Sequence, residues 1–237
     1  MTPVLEVDGL HAHYEKSHVL QGVSMKVGQG EIVSLLGRNG SGRSTTLKAI
    51  MGLVRPTSGR VVLAGKNVAG QRAFRIARSG IAFVPEEREI FANITVAENM
   101  RIGVQPSRDG IASWTIERMY AFFPQLRERQ KTAAGMLSGG EQQMLTMCRS
   151  LLGNPRVILI DEPTEGLAPK IVDVVTEMIR EISNHGVSVL LVEQKLTVAM
   201  RVSSRVYVMG HGQIVFEGTP EALRNAPEVR RNWLEVN

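Results

Sequence analysis

A glycine-rich loop is the first part of this sequence whose residue types and spacing could do chemistry. Residues 37–44 match the phosphate-binding pattern G-x-x-x-x-G-K-[ST] except at Arg43, where the pattern has lysine. Glycines let backbone N–H groups approach phosphate oxygens, and a following helix N-terminus adds partial positive charge. Ser44 could offer its hydroxyl to Mg²⁺. The residues expected to bind a nucleotide are Gly37, Arg38, Asn39, Gly40, Ser41, Gly42, Arg43, Ser44 and Thr45.

Two carboxylates follow directly on a short apolar run. Val157 to Ile160 is followed by Asp161 and Glu162, and charges at the end of a buried strand are costly unless they are used. In phosphoryl transfer, one such acid helps to hold Mg²⁺ and another polarises the attacking water. We therefore expect Asp161 to serve the metal and Glu162 to act as general base. Ordinary acidic surface residues at a strand end are the alternative.

A third segment has both a structural and a chemical explanation. In Leu137-Ser138-Gly139-Gly140-Glu141-Gln142-Gln143, Ser138 and Glu141 have the spacing of a capping box that begins a helix. Capping does not require Gly139 and Gly140, whose bare backbone suits a helix N-terminus that receives a phosphate. The two explanations are compatible with each other.

Strand and helix patterns alternate around these segments. Apolar runs precede both the glycine loop and the acidic pair, and helical spacing follows each of them. This predicts an α/β core with a right-handed parallel crossover, preceded by an antiparallel β layer. Between about residues 95 and 152 the periodicity is helical, which predicts a mostly helical lobe inserted into one domain spanning 1–237. A hairpin is expected over 205–216.

Composition excludes several classes of protein. No apolar stretch approaches the roughly 20 residues of a membrane-spanning helix, and the N-terminus lacks the features of a signal peptide. We therefore expect a cytosolic protein. Its single cysteine, Cys148, cannot form an intrachain disulfide and is expected in the core. The net charge is +5, but the basic residues are scattered, which argues against a nucleic-acid partner.

The order glycine loop, LSGGEQQ and ILIDEP resembles the ABC ATPase family over essentially the whole chain. The resemblance implies a P-loop NTPase core that uses ATP and Mg²⁺ and works as two facing ATPase subunits. It implies that residues of the LSGG segment contact the ATP of the partner subunit, and that Tyr14 stacks on adenine. The residues implied to contact the partner's ATP are Ser138, Gly139, Gly140 and Glu141.

Two positions depart from the usual family pattern and indicate one branch. Glu86 stands where the family usually has a glutamine near the metal, and Gln194 stands where it usually has a catalytic histidine. Together with the phrases VPEEREIF, DEPTEGLAP and LLVEQ, they resemble the ATPases of importers for branched-chain amino acids and similar amides. This implies transmembrane permease subunits, a solute-binding protein acting indirectly, and a place at the cytoplasmic face of the membrane.

Other functions stay open at this point. The cassette could drive a urea or amide importer or a lipid exporter, or act outside transport. Arg43 raises a further alternative, an ATP-binding subunit that hydrolyses weakly, because a guanidinium can bind phosphate yet fit poorly where lysine reaches between phosphates. Arginine outnumbers lysine 21 to 7, so Arg43 could also reflect composition alone. The second ATPase subunit is then either a non-identical paralogue or another copy of this chain.

Overall fold

Ten strands and ten α-helices lie within residues 3–107 and 113–235, which are the residues that the computed structural model describes. The strands are β1 (Leu5–Tyr14), β2 (Ser17–Val27), β3 (Ile32–Gly37), β4 (Pro56–Leu63), β5 (Lys66–Asn67), β6 (Ile81–Val84), β7 (Val157–Asp161), β8 (Ser188–Val192), β9 (Arg205–Gly210) and β10 (Gln213–Gly218). The helices are α1 (Arg43–Ile50), α2 (Ala73–Ser79), α3 (Val96–Gly103), α4 (Ile116–Phe122), α5 (Pro124–Glu128), α6 (Gly139–Leu151), α7 (Pro169–Asn184), α8 (Leu196–Val202), α9 (Pro220–Arg224) and α10 (Pro227–Trp233).

A mixed sheet with the strand order β10-β9-β3-β8-β7-β6 forms the centre of the chain. Neighbouring strands are parallel except for β9 and β10, which form the expected antiparallel hairpin. The connection from β7 through α7 to β8 joins adjacent parallel strands, as the sequence predicted. Because β3, β7 and β8 run in one direction, their carboxyl ends lie along the same edge of the sheet.

Strands β7 and β8 are apolar because both of their faces are covered. Every residue of β7 and β8 is buried, and alternate side chains belong to different cores. On one face, Ile158 and Leu191 pack with residues of α6 and α7. On the other face, Leu159 and Leu190 pack with α1 and with a second sheet. A continuous apolar run, rather than an alternating one, is therefore what this position in the fold requires.

The second sheet is antiparallel and has the order β2-β1-β4-β5. Its inward side chains, among them Leu5, Leu20 and Val23, share a core with Leu47 and Ile50 of α1. This is the β layer that the sequence predicted. The apolar patterns predict strands only over Val4 to Val7 and Val23 to Val27, whereas β1 continues to Tyr14 and β2 already begins at Ser17; β4 and β5 were not predicted.

Helices α3 to α6 lie between β6 and β7 in the chain, and their segment contributes aromatic and methionine side chains to a core. Trp114, Met119 and Phe123 are buried with Met144 and Cys148 in one core. Cys148 is a free, buried thiol, and burial raises its pKa.

The two sheets and the inserted helices together give the expected fold class, an α/β core with an antiparallel layer and an inserted helical portion. Among the described residues, no helix is long and apolar enough to cross a membrane.

The connection from β6 to α3 is fixed by one buried amide. Asn99 of α3 is completely buried. Its Oδ1 accepts a hydrogen bond from the backbone N–H of Phe91 at 2.9 Å, and its Nδ2 donates to the carbonyl oxygens of Phe91 at 3.0 Å and Thr95 at 3.1 Å. A single side chain thus holds both ends of the segment from 91 to 95.

We expect Asn99→Ala to lower the free energy of unfolding by about 2–4 kcal/mol, because it removes a fully buried side chain together with its hydrogen bonds to part-buried backbone groups of Phe91 and Thr95. Urea unfolding followed by circular dichroism measures the change. The matched control is Asn67→Ala, which removes one exposed hydrogen bond to Ala69 and should change stability by less than about 0.5 kcal/mol. Equal effects of the two substitutions would contradict this role of Asn99.

Candidate functional site

The carboxyl edge of the central sheet gathers the residues that the sequence analysis singled out. Leu35 of β3 and Asp161 of β7 both lie opposite Val192 of β8, so the three strands end at one level. The glycine loop follows β3, Glu162 follows β7, and Gln194 lies two residues after β8. Together they enclose a cavity of about 260 Å³ lined by Asn39, Gly40, Gly42, Arg43, Ser44, Thr45, Glu86, Glu162 and Gln194.

The glycine loop has the backbone that its sequence requires. Gly40 and Gly42 have φ angles of +79° and +106°, and Gly42 is the N-cap of α1. A side chain is strained in these left-handed conformations. At Gly37 the constraint is space as well, since a Cβ atom there would lie 2.5 Å from the carbonyl oxygen of Met209. Helix α1 begins at Arg43, two residues before Thr45, where helical spacing in the sequence predicts its start, and directs its N-terminus at the cavity.

Arg43 is a buried side chain that connects three separate segments. Only 5% of it is exposed. Its Nη2 donates hydrogen bonds to Oε1 of Glu162 at 2.9 Å and to Oδ1 of Asn39 at 3.2 Å, and its Nη1 donates to the carbonyl oxygen of Glu193 at 3.2 Å. Glu162 is 6% exposed, so the two residues form a buried ion pair. Arg43, the residue that departs from the glycine-loop pattern, is therefore hydrogen-bonded to Glu162, the expected general base.

Glu162 and Gln194 meet in the same cavity. Nε2 of Gln194 donates to Oε2 of Glu162 at 2.7 Å and to Oδ1 of Asn39 at 2.9 Å. Burial raises the pKa of Glu162, and the Arg43 guanidinium acts against that rise. The backbone of Glu162 has φ +45°, an uncommon conformation for a side chain of this type. The glutamine that replaces the usual histidine thus contacts the carboxylate directly.

A hydroxyl and a carboxylate lie side by side where a metal ion was predicted. Oγ of Ser44 donates to Oδ1 of Asp161 at 3.0 Å. Burial raises the pKa of Asp161, while the Ser44 hydrogen bond lowers it. Glu86 is exposed and lines the same cavity. Hydroxyl and carboxylate oxygens are the ligands that Mg²⁺ prefers, so these three residues fit such an ion.

Glu193 is a buried carboxylate that the sequence analysis did not assign. It is 2% exposed. Its Oε1 accepts hydrogen bonds from the backbone N–H groups of Gln194 and Lys195, both at 2.9 Å, and its Oε2 accepts one from Thr164 at 2.9 Å. Burial raises its pKa. An acidic residue directly after an apolar run was the pattern that identified Asp161. Glu193 follows the apolar run of β8 in the same way, so the same pattern could have identified it.

Two groups of predicted residues lie outside this cavity. Tyr14 is at the end of β1, is 46% exposed and does not line the cavity. The LSGG segment begins α6, where Ser138 and Glu141 form the predicted capping box. Gly140 also has a packing reason, because a Cβ atom there would lie 3.2 Å from the side chain of Ile171, whereas a Cβ atom at Gly139 would meet only the flexible guanidinium of Arg88. Neither group contributes to the phosphate-binding cavity of its own chain.

Comparison with known proteins agrees with this geometry. The family model described as ABC transporter matches residues 20–165. The high-affinity branched-chain amino acid transport ATP-binding protein BraG of Pseudomonas aeruginosa is 38% identical over 98% of this chain and 99% of the relative. A probable branched-chain amino acid transport ATP-binding protein, LivF of Archaeoglobus fulgidus, is 35% identical over 90% and 91%. The lipopolysaccharide export system ATP-binding protein LptB of Haemophilus influenzae is 32% identical over 98% and 97%.

Solved structures have the same fold. A nucleotide-free ATP-binding cassette from an ABC transporter superposes with a TM-score of 0.82 at 26% identity, covering 96% of each chain. The ADP conformation of the cassette MJ1267 gives a TM-score of 0.81 at 26% identity, over 98% of this chain and 97% of that one. The family match covers more than half of the sequence and includes the glycine loop, the LSGG segment and the acidic pair. The chain therefore belongs to the ABC transporter family, as an ATPase subunit.

Proposed function

We propose that this ATPase drives the import of branched-chain amino acids. The observation that carries the proposal is the cavity in which Glu86, Glu162 and Gln194 meet the glycine loop. Glu86 and Gln194 are the two departures that indicate this branch of the family. The similarity to BraG and LivF supports the same substrate class. No residue of this subunit is expected to touch the transported amino acid, so the substrate class is supported indirectly, by these two departures and by the relatives.

The cavity suggests which of the chain's own residues bind the nucleotide and which act in its hydrolysis. The nucleotide's phosphates bind the N–H groups of the glycine loop and the N-terminus of α1. Glu162 accepts a proton from the attacking water, and Gln194, which is already bonded to it, orients the same carboxylate. Ser44, Asp161 and Glu86 would hold Mg²⁺, which neutralises charge on the phosphates when bound. Tyr14 offers an exposed ring for stacking on adenine.

A second ATPase subunit completes each site in this proposal. Ser138 is exposed at the N-terminus of α6 and points to no phosphate-binding cavity of its own chain. Next to the LSGG segment, Met136 is 74% exposed, an unusual exposure for an apolar side chain, and it favours an interface there. We propose that Ser138, Gly139, Gly140 and Glu141 contact the ATP bound to the facing subunit, which is a paralogue or a second copy.

The permease subunits need a docking surface as well. A groove of about 810 Å³ lies between the core and the helical portion. Its lining includes Met51 at the end of α1, Phe83 of β6 and Pro106 after α3. We propose that a short helix of the permease lies in this groove and holds this subunit at the cytoplasmic face of the membrane. The solute-binding protein would act through the permease.

We expect Glu162→Gln to retain ATP binding but to slow hydrolysis by roughly 10²- to 10⁴-fold, the contribution of a positioned general base. Phosphate release by the chain with its partner ATPase measures the effect. The matched control is Glu177→Gln on α7, whose carboxylate is exposed and pairs only with Arg180 among the described residues. Unchanged turnover in Glu162→Gln would assign water activation to another group.

We expect Arg38 of one subunit to lie close to Ser138 of the other when ATP is bound. Without ATP the two residues should stay apart. Arg38 is exposed on the glycine loop, so a thiol there is accessible, whereas Ser41 is buried. Arg38→Cys and Ser138→Cys, placed on separate subunits in the Glu162→Gln background, should form a crosslink with a short bis-maleimide when ATP is added. Subunits carrying only one of the two cysteines are the control. No ATP-dependent crosslink, either between copies of this chain or with the paralogue, would contradict the proposed dimer.

A further inference from the structure

The Arg43–Glu162 ion pair occupies the groups that ATP hydrolysis needs. Both oxygens of the Glu162 carboxylate already accept a hydrogen bond, Oε1 from Arg43 and Oε2 from Gln194. Neither residue is more than 6% exposed. A carboxylate in this state is shielded from solvent and has a cation as its neighbour. It is poorly placed to take a proton from water.

The same guanidinium also lies in the cavity where the phosphates are expected. Arg43 is the first residue of α1, lines the cavity, and stands at the position from which the family's lysine reaches the phosphates. Phosphate oxygens are strong acceptors for an arginine fork. The Glu162 carboxylate and an incoming phosphate are therefore both anions that compete for one buried cation.

We propose that Arg43 is a positioning residue that holds Glu162 inactive until nucleotide phosphates take over its guanidinium. The inference rests on the proposed nucleotide site and adds a means of regulation to it. When phosphate displaces Glu162 from Arg43, the carboxylate keeps its bond from Gln194 and gains room for a water molecule. The general base is then released only in a site that contains nucleotide.

Arginine suits this role because its guanidinium has more hydrogen-bond donors than the contact with Glu162 requires. Its Nη1 bonds the Glu193 carbonyl and its Nη2 bonds both Asn39 and Glu162. The bonds to Asn39 and Glu193 can anchor the side chain while the acceptor at Glu162 is exchanged for phosphate. A lysine ammonium is a compact point charge with three donors and lacks this planar fork. The presence of arginine rather than lysine at position 43 therefore has a structural explanation besides the overall excess of arginine in the chain.

The test is the affinity for the non-hydrolysable analogue AMP-PNP, measured by calorimetry in EDTA so that metal binding does not contribute. Glu162→Gln keeps the size of the side chain but removes the charge that competes for Arg43. We expect its dissociation constant to fall on the order of tenfold relative to the wild type, the scale of one charged hydrogen bond. Glu86→Gln is the matched control. Glu86 lines the same cavity but is not among the hydrogen-bond partners of Arg43, so this substitution removes a negative charge without breaking the ion pair.

Equal affinities of the wild type and Glu162→Gln would overturn the proposal, and so would an equal gain in Glu86→Gln, which would reflect general charge repulsion. Absence of AMP-PNP binding in every variant would overturn the nucleotide site itself, and with it this inference. If Glu162→Gln does not fold, a crystal structure of the wild-type chain with AMP-PNP decides. Arg43 bonded to phosphate and separated from Glu162 supports the proposal, and an intact Arg43–Glu162 pair contradicts it.

Discussion

The parallel pairing of β8 with both β3 and β7 is the constraint on which the site depends. Backbone hydrogen bonds fix Val192 opposite Leu35 on one side and opposite Asp161 on the other. Segments more than 100 residues apart in sequence therefore end at the same level, and their side chains meet in one cavity. The helices and the second sheet bury both faces of these strands, and this burial makes the alignment rigid enough to position catalytic groups.

Burying charge at this edge has a cost that the hydrogen bonds must offset. Asp161, Glu162 and Glu193 are all at most 6% exposed, and burial raises the pKa of each. Every one of them accepts hydrogen bonds from neighbouring segments. A buried ion pair gains little net stability, because desolvation consumes most of its attraction. We therefore interpret the Arg43–Glu162 pair as an arrangement kept for function rather than for folding.

Local signals in the sequence predicted the site's components, but not all of its contacts. The glycine loop, the acidic pair and the capping box at Ser138 each have a short-range pattern, and the structure places each at the expected kind of element. Strand β4 was missed because its first half, Pro56 to Gly59, lacks apolar alternation. The bond from Arg43 to Glu162 spans 119 residues, and no periodicity reports such a distance. The roles of Tyr14 and the LSGG segment depend on a ligand and a second subunit, so they stay proposals.

The central claim is that Arg43 and Glu162 act as one unit in the nucleotide-free chain, and a double-mutant cycle on the free energy of unfolding tests it most directly. Urea unfolding of the wild type, Arg43→Gln, Glu162→Gln and the double variant at neutral pH gives the coupling energy between the two side chains. We predict a coupling of about 1–3 kcal/mol, as expected for a buried pair in direct contact. Additivity within about 0.5 kcal/mol would contradict the account, because independent residues behave in that way.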